Sequence, residues 1–426
     1  MKYSTLLLPK AIGAVIGVCA VAFNAFSIDF DLSFGSAGKF MTTFADVGQP
    51  SSAGRSIYIQ PASGRTVIVG PHQQQGVTGR TSGFVLAGLT PLGTLDSGFG
   101  TGGKIVNWSS ASSRNLIDSV MLADGSIVVF YQFVQAPSIN SPGLLKYTPD
   151  GQADTSFNAN VQLVENQTIP VIMAAGANGR LYVIVRQAAQ YSLVRLNSDG
   201  SRDSTFGPDG VRALNLNRFP QPTIFGFSEL EGGKLLLTGH HYETQGYAVA
   251  FAARFNSDAT LDRFFGSQGV TRISIPWGSV EAQTTVIQPD GKILIGGYWT
   301  FLGSNAVLIR LTPRGRLDAG FGNGGVAMTS FNNWNGVRGI ALAPDGKIFV
   351  AGHCGEKAIP PNERLFVARF SATGVRESFL VTNFITNRDA AALDLALTPN
   401  GKMVIAGFTK NPGDNFTQLA AARFEP

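Results

Sequence analysis

The chain has 426 residues, with 33 Lys+Arg against 28 Asp+Glu, a formal net charge of +5 and only 14% charged residues. Hydrophobic residues make up 44% and cysteines number two, which excludes general disorder, a disulfide scaffold and a Cys-rich zinc module. The positive excess is too small and too scattered to argue for a nucleic-acid partner.

The N-terminus reads as an address. Lys2 and Lys10 precede an apolar stretch from Ala11 to Phe23, and Ala25-Phe26-Ser27 follows with small residues where a signal peptidase reads. The stretch falls short of the ~20 residues that span a bilayer, so residues 1–27 are expected to be a cleaved secretory signal peptide. A lipoprotein anchor at Cys19 is disfavoured because Val18, not a small residue, precedes it. Cleavage removes two lysines and leaves 31 basic against 28 acidic residues, with Cys354 as the remaining thiol. The expected location is periplasmic or extracellular. No integral membrane segment is expected in residues 28–426, and the mature chain is expected to be a monomer.

Residues 29–426 repeat. Tight-turn signals recur at Pro289-Asp290-Gly291-Lys292, Pro344-Asp345-Gly346-Lys347 and Pro399-Asn400-Gly401-Lys402, with weaker copies around Gly64, Gly125, Gly179 and Gly233. The seven glycines are spaced 61, 54, 54, 58, 55 and 55 residues apart. Asn-Gly and Asp-Gly between β-rich runs predict two-residue hairpins with positive φ at both central positions. A second signal follows each turn, as in Leu95-Asp96-Ser97-Gly98-Phe99-Gly100 and Asp318-Ala319-Gly320-Phe321-Gly322; the copy at Glu377-Ser378-Phe379 is degenerate. A basic residue precedes these motifs at a strand end: Lys146, Arg195, Arg254, Arg310, Arg369 and Arg423, with Gly88 in the first repeat.

This pattern resembles the delta-60 repeat family, whose tandem copies read L-D-x-x-F-G … P-D-G-K … A-R-x. The resemblance spans nearly the whole mature chain. It implies a propeller-like array and little about activity.

Each repeat predicts four strands: A before the turn, B after it, C ending in the basic residue, and D after the Phe-Gly motif. Residues 28–426 are therefore expected to form one all-β, seven-bladed β-propeller of four-stranded blades. The sequence opens on a lone D strand, Lys39–Phe44, and ends on a C strand, Gln418–Phe424. Pairing these two closes the ring in blade seven and leaves no raw edge. The recurrent Asp and Arg are read as a lock on the C–D connection, with Phe between blades, because catalysis does not need seven copies of a pair.

Function is sought on the face carrying the B–C and D–A connections, where the blades differ. Longer loops are expected there over Gly70–Gly83 and Tyr131–Gly143. Seven and eight residues beyond the turn glycines stand His72, His240, His241, Tyr298, Trp299, His353 and Cys354. Trp277 and Trp334 fall in D–A loops of the same face. The candidate ligand-binding residues are thus Trp277, Tyr298, Trp299, Trp334, His240, His241 and His353, a polar-aromatic surface for a protein or carbohydrate ligand. Adjacent histidines on a strand point to opposite faces, so no metal site or other cofactor is expected. A calcium loop at 199–203 lacks alternating acidic ligands and a bidentate Glu. The alternative is a propeller-type hydrolase or lyase with an axial acid/base site, for which Asp118, Asp394, Glu281 and Arg338 are the polar candidates. The reading favours a binder over an enzyme.

Overall fold

The structure, a computed structural model, describes residues 27–44, 50–76, 79–135, 139–157, 168–331, 334–356, 362–412 and 414–425. The predicted cleavage site straddles the first described residue, and the signal segment itself lies outside the described residues.

Turn chemistry sets the repeat. At Gly291 the chain closes a hydrogen bond from Gly291 N–H to Gln288 O and a second from Gln288 N–H to Lys292 O, both 2.8 Å. Asp290 Oδ1 accepts the Lys292 N–H at 3.1 Å. Only the glycine, at φ 77°, is left-handed. This is a three-residue loop ending in a glycine bulge, not the predicted two-residue turn, because Pro289 and Asp290 keep negative φ. At Asn178-Gly179 and Gly232-Gly233 both residues have the expected positive φ, but the loops again span three residues, closed by Gly176 N–H to Arg180 O and Leu230 N–H to Lys234 O.

The strands assemble into seven antiparallel sheets in chain order. Blade four comprises A Thr223–Glu229, B Leu235–Tyr242, C Ala248–Phe255 and D Val270–Ile273. Blade five comprises Ser279–Ile287, Ile293–Thr300, Ser304–Leu311 and Val326–Thr329. Blade six comprises Trp334–Leu342, Ile348–Glu356, Asn362–Phe370 and Arg376–Thr382. Blade two shows three strands, and its D position falls in residues 158–167, outside the described residues. In blade seven, Lys39–Thr42 pairs antiparallel with Gln418–Glu425, Lys39 opposite Ala422 and Thr42 opposite Leu419. The ring is a seven-bladed β-propeller, closed as the two ends of the sequence predict. The expected loops at 70–83 and 131–143 are instead hairpins: strands Thr66–Gly76 and Gly79–Leu89 pair throughout, as do Ile127–Gln135 and Ile139–Tyr147. Pairing satisfies the backbone of these polar segments without needing apolar side chains.

A strands abut around the axis. Each blade boundary holds one apolar cluster, as where Leu236, Ala252 and Phe265 of blade four meet Val280, Ile293 and Ile309 of blade five. Central strands are buried on both faces, so B and C strands read as continuous apolar runs. Among the described residues no helix is long and apolar enough to cross a membrane.

The recurrent motif is a lock within and between blades. Arg310 Nε donates to Asp318 Oδ2 at 2.8 Å, its guanidinium lies 4.4 Å from the Phe321 ring centroid, and its Nη1 donates to Ala372 O in the next blade. Gly322 N–H donates to Thr373 O, 2.8 Å, across the same boundary. Phe321 packs against Gly374, where an added Cβ would come within 2.7 Å of the ring. Asp318 Oδ1 caps the Gly320 N–H at 3.1 Å. Arg195–Asp203 and Arg254–Asp262 repeat the ion pair at 2.8 Å, and Lys146–Asp154 at 3.1 Å. In the degenerate blade six Glu377 takes the aspartate's place, 2.9 Å from Arg369. Blade one, with Gly88 where the arginine belongs, recruits Arg65 from the start of its B strand, 2.7 Å from Asp96.

Candidate functional site

Every A strand from blade two to blade seven carries a β-bulge eight residues before its turn glycine. The bulged residues are Ile117, Val171, Phe225, Gln283, Arg338 and Leu393. A bulge re-aims one side chain out of the pleat. Four blades place an apolar residue there, whereas blades five and six place Gln283 and Arg338, and Arg338 Nη1 donates to Gln283 Oε1 at 2.5 Å. Counting back from the turn glycines would have found this pair; counting forward alone missed Gln283.

Two residues before Gln283, Glu281 collects its neighbours. Tyr298 Oη donates to Glu281 Oε2 at 2.5 Å, and Tyr242 Oη donates to Oε1 at 3.2 Å. His240 Nε2 stands 3.7 Å from Oε2, and its ring stacks on Phe225 at 5.6 Å. On the other side Arg338 Nε reaches His353 Nδ1 at 3.5 Å. The result is a polar cluster across blades four, five and six: His240, Tyr242, Glu281, Tyr298, Arg338 and His353. Burial pushes His240 down, against the pull of Glu281. Burial and the Arg338 charge push His353 down to about 4, so a neutral ring accepts from the guanidinium. Burial, then the Glu281 carboxylate, raises Tyr298. Tyr298 is therefore a hydroxyl donor at neutral pH. Tyr242 and its bond to Glu281 were not foreseen, because the residue stands one place beyond the two levels counted.

The remaining candidates separate. His241 points away from the axis and is buried between Phe219 and Phe251, at 5.4 and 6.5 Å, which removes it from the surface group. Alternation along the strand compels this, since its neighbour His240 faces Glu281. Trp299 likewise turns from Tyr298. It is half-buried against Phe301 at 6.0 Å and against the Gly278 backbone. Trp334 is the first residue of a strand, opposite Gly355, rather than part of a loop. Trp277 holds a left-handed φ of 69° and is 80% exposed, directly before Gly278. Leu302, in the adjoining B–C turn, is 99% exposed, and Tyr242, Tyr247 and Phe301 are also exposed.

Asp118 and Asp394 occupy one repeat position and perform one task. Asp394 accepts Leu395 N–H at 2.8 Å and Ile57 N–H of blade one at 3.0 Å. Asp118 accepts Ser119 N–H and Met173 N–H of blade three, both at 2.9 Å. Each carboxylate ties its blade to the next, with both oxygens engaged. Burial raises both, Asp394 to about 7. Glu281 likewise has both oxygens hydrogen-bonded, by the Tyr242 and Tyr298 hydroxyls. Among the described residues no three His, Cys, Asp or Glu side chains gather as a metal shell, and Asp203 of the 199–203 loop is held by Arg195.

A family model described as a beta-propeller domain of unknown function (DUF5122) matches residues 122–157, 177–206 and 288–321. The chain thus carries propeller-type repeats by sequence as well as by structure. No curated protein matches it in sequence. Among solved structures, the chain is similar to a protein of unknown function from Dyadobacter fermentans DSM 18053, at 10% identity and TM-score 0.47, covering 94% of this chain and 99% of that one. It is also similar to a polysaccharide lyase of family PL25, an ulvan lyase, at 10% identity and TM-score 0.48, covering 88% and 94%. A glucose dehydrogenase aligns at 13% identity and TM-score 0.39, covering 72% and 95%.

Proposed function

We propose that the protein is an exported binding module whose B–C and D–A face, at blades four to six, takes a protein or carbohydrate partner. The observation that carries this reading is Trp277, 80% exposed, in the connection that leads through Gly278, packed on Trp299, into the strand carrying Glu281. Exposed apolar side chains grouped around fixed polar groups mark interaction surfaces. The two tyrosine hydroxyls and the Arg338 guanidinium supply directional bonds, and Trp277 supplies contact area. Asp118 and Asp394 spend their oxygens on backbone N–H groups that join neighbouring blades, which assigns them to the frame and leaves the contact surface to the aromatic side chains. Export rests on the signal-like residues 1–27 and on a mature chain whose one thiol, Cys354, is buried and free.

A glycan array and a pull-down with the mature chain and its Trp277→Ala variant test the surface. Partners retained by the parent should be lost by the variant, and a partner retained equally by both overturns the assignment. N-terminal sequencing of the exported protein should begin near residue 28; an intact Lys2 refutes cleavage.

A further inference from the structure

Blade four departs from its sisters at one turn on the opposite face of the ring. Two residues after the motif aspartate, five blades have Ser33, Gly98, Ser156, Thr205 and Gly320, each with its backbone N–H on the aspartate. Blade four has Phe264 there. Its N–H keeps the same bond to Asp262, 3.1 Å, while its ring is 87% exposed. The interblade position is filled by the next residue, Phe265, which is fully buried. The fold therefore makes no use of the Phe264 ring.

That ring borders a cleft of about 850 Å³ lined also by Asn215, Arg218, Asn256, Arg263 and Gln268. Arg218 is anchored by Nη1 to Ser267 O at 3.1 Å and also borders a second cleft of about 600 Å³, with Arg272 and Arg316, between blades four and five. The two clefts share Arg218 as a common wall, and the pair is termed the trough beside blade four. Arg218, Arg263 and Arg316 form no ion pair among the described residues, whereas the wall carboxylate Asp262 is neutralised by Arg254 and Lys234.

We propose that this trough is a second binding site, for an oligosaccharide bearing sulfate or carboxylate groups. An exposed ring stacks on the apolar face of a sugar, primary amides match hydroxyls, and guanidinium forks match planar or tetrahedral oxyanions. Spaced arginines among neutral amides fit a polymer with intermittent anions. A nucleic acid, with a phosphate at every residue, requires a denser row of cations.

Affinity electrophoresis of the full mature chain in gels containing alginate, dextran sulfate or neutral dextran tests this. Retardation is expected in alginate or dextran sulfate, the two distinguishing carboxylate from sulfate, and not in dextran. Phe264→Ser, which installs the residue found in blades two and seven, and Arg218→Ala should each weaken retardation roughly tenfold or more with unchanged melting temperature. Trp277→Ala should leave it unaltered, so the two faces fail or succeed separately. The proposal is overturned if neither anionic gel retards the protein, if dextran retards it equally, if a duplex oligonucleotide competes fully, or if Phe264→Ser is retarded like the parent.

Discussion

Arg423 Nε donates to Asp31 Oδ2 at 2.5 Å, joining residues 392 apart in the chain. Lys402 reaches the same oxygen at 2.9 Å, and Arg423 continues to Pro91 O in blade one. The closure of the ring is thus one more copy of the joint used in every blade, with its acid supplied by the other end of the chain. Asp31→Ala leaves two cations without their buried partner and should cost about 3–5 kcal/mol. Asp31→Asn keeps the cap on Ser33 and should cost less. Urea unfolding of both variants measures the difference.

Removing residues up to Phe44 takes away the outer strand of blade seven and bares the edge of Gln418–Glu425. An unpaired edge templates association. The truncated chain should melt earlier and sediment as larger species, and a monomer with the parental melting temperature refutes closure by this strand.

The lock carboxylates make the ring acid-sensitive. Burial opposes ionisation of Asp31, Asp262 and Asp318, but hydrogen bonds and partner cations outweigh it and hold them below the usual range. Asp96 is lowered chiefly by Arg65, Asp154 by Ser156 and then Lys146, and Asp203 by the Thr205 hydroxyl. A depressed folded-state pKa contributes stability that is complete above the unfolded value of 3.8 and lost as pH falls below it. Melting temperature should drop steeply below about pH 4, with several blades contributing together.

Asp394 acts with the opposite sign. Burial raises it to about 7 from 3.8, so the folded state holds the proton more tightly than the unfolded chain. Its contribution is greatest below 3.8 and declines as pH rises through about 7. Between about pH 4 and pH 7 the parent should therefore lose stability relative to Asp394→Asn, which lacks this slope. An unchanged slope in the variant locates the titrating group elsewhere.

Arg310 and Trp277 should separate stability from binding. Arg310→Ala removes the Asp318 pair and the bond to Ala372, and should cost about 3 kcal/mol or more while the folded fraction keeps its ligand. Trp277→Ala should leave the melting temperature within about 1 °C, since the ring is exposed, and should weaken binding roughly thirtyfold or more. Paired calorimetry and binding titrations read both quantities, and reversed effects would exchange the roles of the two faces.

What could be read in the sequence was local or periodic. The turn glycines, the apolar runs between them and the Asp–Phe motif determined seven four-stranded units. The unpaired strand at each end determined closure, because backbone donors at an edge require a partner. The side-chain partners were decided in three dimensions. Arg65 replaces the missing arginine of blade one because the start of strand B lies beside the C–D turn, a neighbourhood set by the sheet and not by sequence distance. His240 meets Glu281 and His241 does not, because strand pleat and bulge position settle which residue faces the axis. Of the two adjacent phenylalanines in blade four, the capped turn sends Phe265 inward and Phe264 to solvent. The spacing of the repeats determined the frame; the rotation of one blade against the next decided which side chains share a site.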